Sequence, residues 1–110
     1  MKIEFEPTRN QLLVRLAGEL DEHTATQFRE AVEARLDEDG DRDLLLDLAA
    51  VTFIDSSGLG AILGRYKRIS QAERKMAFAA ASPQVRRILE LSGLLKIIPL
   101  AATGDGKTAS

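Results

Sequence analysis

Between a polar loop, DEDGDRD at 37–43, and a helical pattern that sets in near Leu59, the chain runs DLLLDLAAVTFI from Asp43 to Ile54. This apolar run is too short for a helix, and too rich in β-branched and aromatic residues at its end. It predicts a buried strand near Asp43–Leu48 with a short extension to Ile54. Beyond it Leu59, Ile62, Leu63, Tyr66 and Ile69 recur at helical spacing, while Arg65, Lys67 and Arg68 fall elsewhere on the wheel. A buried strand that passes directly into an amphipathic helix is the building unit of an α/β domain.

The flanking segments extend that unit. Lys2–Phe5 and Gln11–Ala17 are short β-like runs separated by EPTRN, whose Pro7 and Asn10 are turn residues, so the chain opens with a hairpin. From Thr24 the period becomes helical, with Phe28, Val32 and Leu36 on one face and Arg29, Glu30 and Glu33 away from it, and Thr24 with Gln27 fits a capping box. Met76–Ala80 reads as a further strand. Ser82 as N-cap, Pro83 at the first helical position and Gly93 as the stop delimit a third helix over Pro83–Ser92. Leu94–Leu100 reads as a last strand, and AATGDGKTAS at 101–110 has no apolar periodicity and is expected to be a mobile tail. The expectation is one α/β domain over residues 1–100, a mixed β-sheet in which the opening hairpin is followed by strand–helix units, joined by right-handed crossovers, with the helices packed on the sheet.

Composition narrows the function. A chain of 110 residues is the size of one domain. Fifteen Lys and Arg against seventeen Asp and Glu leave no basic excess for nucleic acid or an acidic membrane surface. There is no cysteine, so disulfides, thiolate metal sites and cysteine nucleophiles are excluded. MKIEFEPTRN has no apolar targeting core and no later stretch approaches a membrane span, so a cytoplasmic protein is expected.

IDSSGLGAILGRY, from Ile54 to Tyr66, is where chemistry could reside. Asp55 and Ser56 fall at the carboxyl end of a strand, and Ser56 or Ser57 is placed to cap the next helix, whose N-terminus is receptive to a phosphate. A plain helix cap explains the serines on their own. Gly58, Gly60 and Gly64 each cost about 1 kcal/mol relative to alanine in a helix, roughly 2–3 kcal/mol together, which points to a close backbone approach to the protein's own sheet or to a partner.

Other readings fail on spacing. GLGAILG resembles a dinucleotide fingerprint but is GxGxxxG, without the acidic residue expected about 20 positions on, and no GxxxxGK[ST] loop is present. A serine hydrolase needs a base, and the only histidine, His23, lies just before a helix with no nucleophile elbow at either serine. Asp21 and Asp55 are too few carboxylates for a cation site. No catalytic residue, metal or cofactor is expected.

GELDEHTA at Gly18–Ala25, IDSSGLGAILGRYKRI at Ile54–Ile69 and SPQVRRILELSGLLKII at Ser82–Ile98 resemble the anti-sigma factor antagonists of the STAS family, of the sporulation type, over roughly residues 1–100. That resemblance implies a partner switch in sporulation or stress-response transcription. The serine after the strand-ending aspartate, here Ser56, would be phosphorylated by a partner that is both anti-sigma factor and serine kinase, and reset by a PP2C-like phosphatase. Capping physics alone does not separate Ser56 from Ser57. The unphosphorylated form would bind the kinase and release its sigma factor. Asp21, Asp55, Ser56, Ser57, Gly58, Leu59 and Gly60 are the implied contact residues. The alternative is a constitutive STAS scaffold or transport-associated adaptor that binds through the same turn without phosphorylation.

Overall fold

In the computed structural model, which describes residues 1–101, strands β2 (Gln11–Leu20) and β3 (Asp43–Ile54) run parallel through the middle of a four-stranded sheet. β1 (Lys2–Pro7) pairs antiparallel with β2, and β4 (Met76–Ala79) pairs parallel with β3, giving the order β1-β2-β3-β4. Helices α1 (Ala25–Asp39), α2 (Ser56–Gln71) and α3 (Pro83–Ser92) complete the domain, with a 3-10 turn at Leu94–Lys96. The sheet is mixed and opens with a hairpin, as expected.

Alternation along the strands sets the layers. Leu12 lies beside Leu44 and Leu44 beside Met76; Val14 lies beside Leu46 and Leu46 beside Phe78, so these buried side chains share one face. They join Phe28, Val32 and Leu36 of α1, Ile62 and Ile69 of α2, and Val85 and Leu89 of α3 in one core. The two parallel crossovers, β2 to β3 through α1 and β3 to β4 through α2, step the same way across the sheet, so crossovers of one hand place α1 and α2 on one face. The other face carries Arg15 between Glu6 and Asp47, with N–O separations of 2.7 and 3.6 Å.

Two irregularities in the pairing of β3 with β2 bring distant loops together. β3 advances from Asp47 to Ala50 while β2 advances from Arg15 to Ala17, and the register shifts again between Gly18 and Glu19. Asp47 Oδ1 accepts the Ala49 N–H at 2.9 Å and holds the first bulge. The extra residues let the two parallel strands end side by side at Leu20 and Ile54. The loop after β2 thereby lies against the junction of β3 with α2.

Three expectations are corrected. Leu94–Leu100 is not a strand: a 3-10 turn is followed by a lone parallel bridge between Phe78 and Leu100, with Phe78 N–H donating to Pro99 O at 2.8 Å and Ala101 N–H to Phe78 O at 2.7 Å. One step earlier in that register residue 99 would have to donate to Met76, and proline has no N–H. The capping box at Thr24 does not form, because the Thr24 hydroxyl donates to Glu19 O at 2.7 Å and Gln27 reaches the Met1 carbonyl instead. Arg65, expected on the outer face of the second helix, is buried.

The third helix follows its sequence signals. Ser82 accepts the Val85 N–H, Pro83 opens the helix, and Gly93 closes it in the left-handed conformation at φ 87°. The tail expected at 101–110 lies, from residue 102 on, outside the described residues. Among the described residues no helix is long and apolar enough to cross a membrane.

Candidate functional site

Asp55 leaves β3 in an extended conformation and is the N-cap of α2; its Oδ1 accepts the Gly58 N–H at 3.0 Å. Its Oδ2 accepts the Glu22 N–H at 3.1 Å, and its own N–H donates to Leu20 O at 3.1 Å. One carboxylate therefore ties the start of α2 to the loop after β2. This corrects the expectation that a serine caps the helix. Ser56 and Ser57 occupy the first two helical positions, both are exposed, and neither hydroxyl has a hydrogen-bond partner among the described residues.

Asp21 lies in the same loop, one residue from Glu22, but its carboxylate serves the loop itself. Oδ1 accepts the N–H groups of His23 at 2.9 Å and Thr24 at 3.1 Å. Burial acts to raise the Asp21 pKa, yet these N–H donors and the Thr24 hydroxyl outweigh it and hold the carboxyl below its ordinary value. His23 is a polar loop residue, its imidazole 3.7 Å from Glu22. The end of the sheet that presents the serines thus carries Asp21, Glu22 and Asp55 before any modification. Among the described residues no group of three or more His, Asp or Glu is placed to hold a metal ion.

The glycines divide into two kinds. A Cβ on Gly58 would lie 2.4 Å from Leu20 O, 2.8 Å from Leu20 Cγ and 3.0 Å from Ile54 Cγ2, so α2 can begin against the sheet only if residue 58 has no side chain. At Gly60 and Gly64 a Cβ would meet nothing within 4 Å. The close approach expected from the glycines is to the protein's own sheet at Gly58 alone; Gly60 and Gly64 leave backbone accessible from outside. Leu59 is half-buried and packs on the core.

A family model described as the STAS domain matches residues 2–105. The chain belongs to the STAS domain family. It is similar to the anti-sigma F factor antagonist of Paenibacillus polymyxa, with 44% identity over 100 residues, covering 91% of this chain and 86% of that one. Its fold superposes on the anti-sigma factor antagonist SpoIIAA in its unphosphorylated form with a TM-score of 0.78 at 28% identity, covering 92% of this chain and 89% of that one. Against the Bacillus cell fate determinant SpoIIAA in its phosphorylated form the TM-score is 0.71 at 27% identity, covering 92% of each chain.

In this STAS domain α2 is also clamped at its far end, by arginines whose charge pointed to solvent. Arg68 Nη1 donates to Glu33 at 2.6 Å and Asp37 at 2.9 Å, and its Nε donates to Asp41 at 2.9 Å. Burial acts to lower the Arg68 pKa, but these three acceptors raise it well above the ordinary arginine value. Arg65 Nε comes within 2.7 Å of Glu33 Oε2, although the N–H is not aimed at that oxygen, so this is an ion pair without a well-formed hydrogen bond. Nη1 has no partner among the described residues. Burial, opposed by Glu33 and aided by Arg29 and Arg68, lowers the Arg65 pKa. The signal for Arg65 was present in the spacing, since it continues the stripe Gly58, Ile62, Ile69 that faces inward.

Proposed function

We propose that this STAS domain is a cytoplasmic anti-sigma factor antagonist whose binding is switched by phosphorylation of Ser56. The observation that carries the reading is the division of labour at the first turn of α2. Asp55 has taken the capping role, and Ser56 is left exposed, without a hydrogen-bond partner, at a helix N-terminus. The names of the relatives support antagonism, and the phosphorylated form of the similar SpoIIAA supports a phosphate on this fold. The domain is on this reading a substrate and a binding module, not a catalyst.

The switch is electrostatic. A phosphoserine adds about −1.5 to −2 charge, which the positive end of α2 tolerates although Asp55 opposes part of the gain. The fold survives modification. At an interface with an acidic or apolar surface the same dianion is repelled and desolvated, and a loss of about 2–3 kcal/mol weakens binding roughly 30- to 150-fold. The partner is an anti-sigma factor with serine kinase activity, and a PP2C-like phosphatase resets the cycle. Gly60 and Gly64 let that partner approach the α2 backbone, with Ser57, Gly58 and Leu59 beside the modified residue. Asp21 and Asp55 shape the turn that it reads.

The test is capture from host lysate with wild type, Ser56→Ala and Ser56→Asp as baits, identified by mass spectrometry. A kinase-type anti-sigma factor is expected with the first two and absent from the third. With Ser57→Asp added as a fourth bait, equal capture by all four would mean a constitutive adaptor, and loss of capture with Ser57→Asp alone would move the switch by one residue.

A further inference from the structure

At the end of α2 remote from Ser56, an open groove of about 210 Å³ lies between the helix, the start of β4 and the chain after the 3-10 turn. Its lining is Tyr66, Arg74, Lys75, Met76, Ile97 and Pro99. Arg74 and Lys75 are exposed, neighbours in sequence on one rim, and neither forms an ion pair among the described residues. Their backbone is nevertheless anchored. Arg74 N–H donates to Ile69 O at 2.9 Å, Lys75 N–H donates to Asp43 Oδ1 at 2.9 Å, and Leu44 N–H donates to Lys75 O at 2.8 Å. Two cations without an ion-pair partner among the described residues are thus held on a fixed rim, with the Asp43 carboxylate at the Lys75 backbone, beside an apolar wall that includes Ile97, one of the few large apolar side chains left exposed, at 46%.

Size and shape select the occupant. Sites that enclose a free small ligand run from about 300 Å³ upward and bury most of it. This groove is smaller and open, and suits a single bulky side chain presented by a larger partner. We propose that it docks a segment of a protein partner in which one apolar side chain is flanked by Asp or Glu, and that this contact does not depend on the state of Ser56. Ser56 and Tyr66 are separated by about 15 Å along the helix, beyond the screening length of about 8 Å at physiological salt. A partner held here stays on the domain through both halves of a phosphorylation cycle.

The test titrates the full-length, isotopically labelled chain in NMR with three probes. These are the acetylated, amidated peptides Asp-Glu-Phe-Glu-Asp and Lys-Lys-Phe-Lys-Lys, and octanoate as a free carboxylate. The acidic peptide is expected to give saturable shifts at the amides of Arg74, Lys75, Met76 and Ile97. Arg74→Glu with Lys75→Glu is expected to weaken it about tenfold or more, whereas Ser56→Asp leaves it unchanged. Ile97→Ser tests the apolar wall without altering charge and should also weaken binding. Absent or dispersed shifts, equal response to the basic peptide, indifference to Ile97→Ser, or sensitivity to Ser56→Asp would each overturn the proposal. Tighter binding of octanoate at the same amides would replace it with a small-carboxylate site.

Discussion

At the first turn of α2 a single carboxylate, Asp55, takes the backbone N–H groups of Gly58 and Glu22, whereas further along the helix Arg65 and Arg68 reach across to Glu33, Asp37 and Asp41. The near end is held by the Asp55 carboxylate on backbone N–H groups, so the serine side chains beside it stay free. The far end is held through side chains, which are consumed in the process. A helix anchored in these two ways can accept a new charge at one end while its position on the sheet is maintained by the other. The available chemistry of α2 therefore lies where one aspartate, bonded to backbone N–H groups, does the holding and the neighbouring serines take no part in it.

The severest challenge to this contrast is at Gly58. Gly58→Ala forces a Cβ to within 2.4 Å of Leu20 O, and is expected to destabilise the fold by about 3 kcal/mol in urea unfolding. Gly60→Ala, two residues on with nothing within 4 Å, is expected to stabilise it by about 0.5–1 kcal/mol. The same substitution with opposite signs separates an internal glycine from an outward one. Equal effects would show that helix propensity alone governs both.

Arg65→Ala comes next, with an expected loss of about 1–2 kcal/mol, since it removes packing along the buried stem and leaves Glu33 to Arg68 alone. Arg65→Met should recover most of that loss by filling the same space without charge. A smaller loss, about 1 kcal/mol, is expected for Asp55→Ala. Asp55→Asn keeps an acceptor for the Gly58 N–H but puts an amide NH₂ toward Glu22, so its cost should be lower and its effect concentrated in hydrogen exchange at Glu22.

The smallest expected effect is on acid stability. The Asp21 carboxyl titrates below its unfolded value of about 3.9, so its contribution is present above that pH and is lost as pH falls through the folded pKa. Asp21→Asn should flatten that part of the acid limb in unfolding experiments run as a function of pH. An unchanged acid limb would mean that the loop's N–H donors do not favour the charged form.

Much of this architecture was legible in the sequence because its signals are local. Ser82, Pro83 and Gly93 mark α3 through backbone geometry that needs no tertiary context, and the apolar run before Ile54 has room only for a strand. The cap of α2 was less legible because Asp55, Ser56 and Ser57 are all good N-caps, and only the chain's exit from β3 decides which of them turns in. Gly58 could not be told from Gly60 without knowing that Leu20 lies beneath it, since β2 is far away in sequence. Arg65 was hidden by its charge, although its spacing matched the buried stripe. The last strand failed at one atom, the N–H that Pro99 lacks.

The most direct measurement is calorimetric affinity of the full-length protein for the proposed kinase-type anti-sigma factor, once capture identifies it, before and after phosphorylation, alongside thermal unfolding of both forms. A phosphorylation-gated docking turn predicts that affinity falls roughly 30- to 150-fold while the unfolding midpoint shifts by only a few degrees. Equal affinity in both forms, or a modified protein that no longer folds, would contradict it.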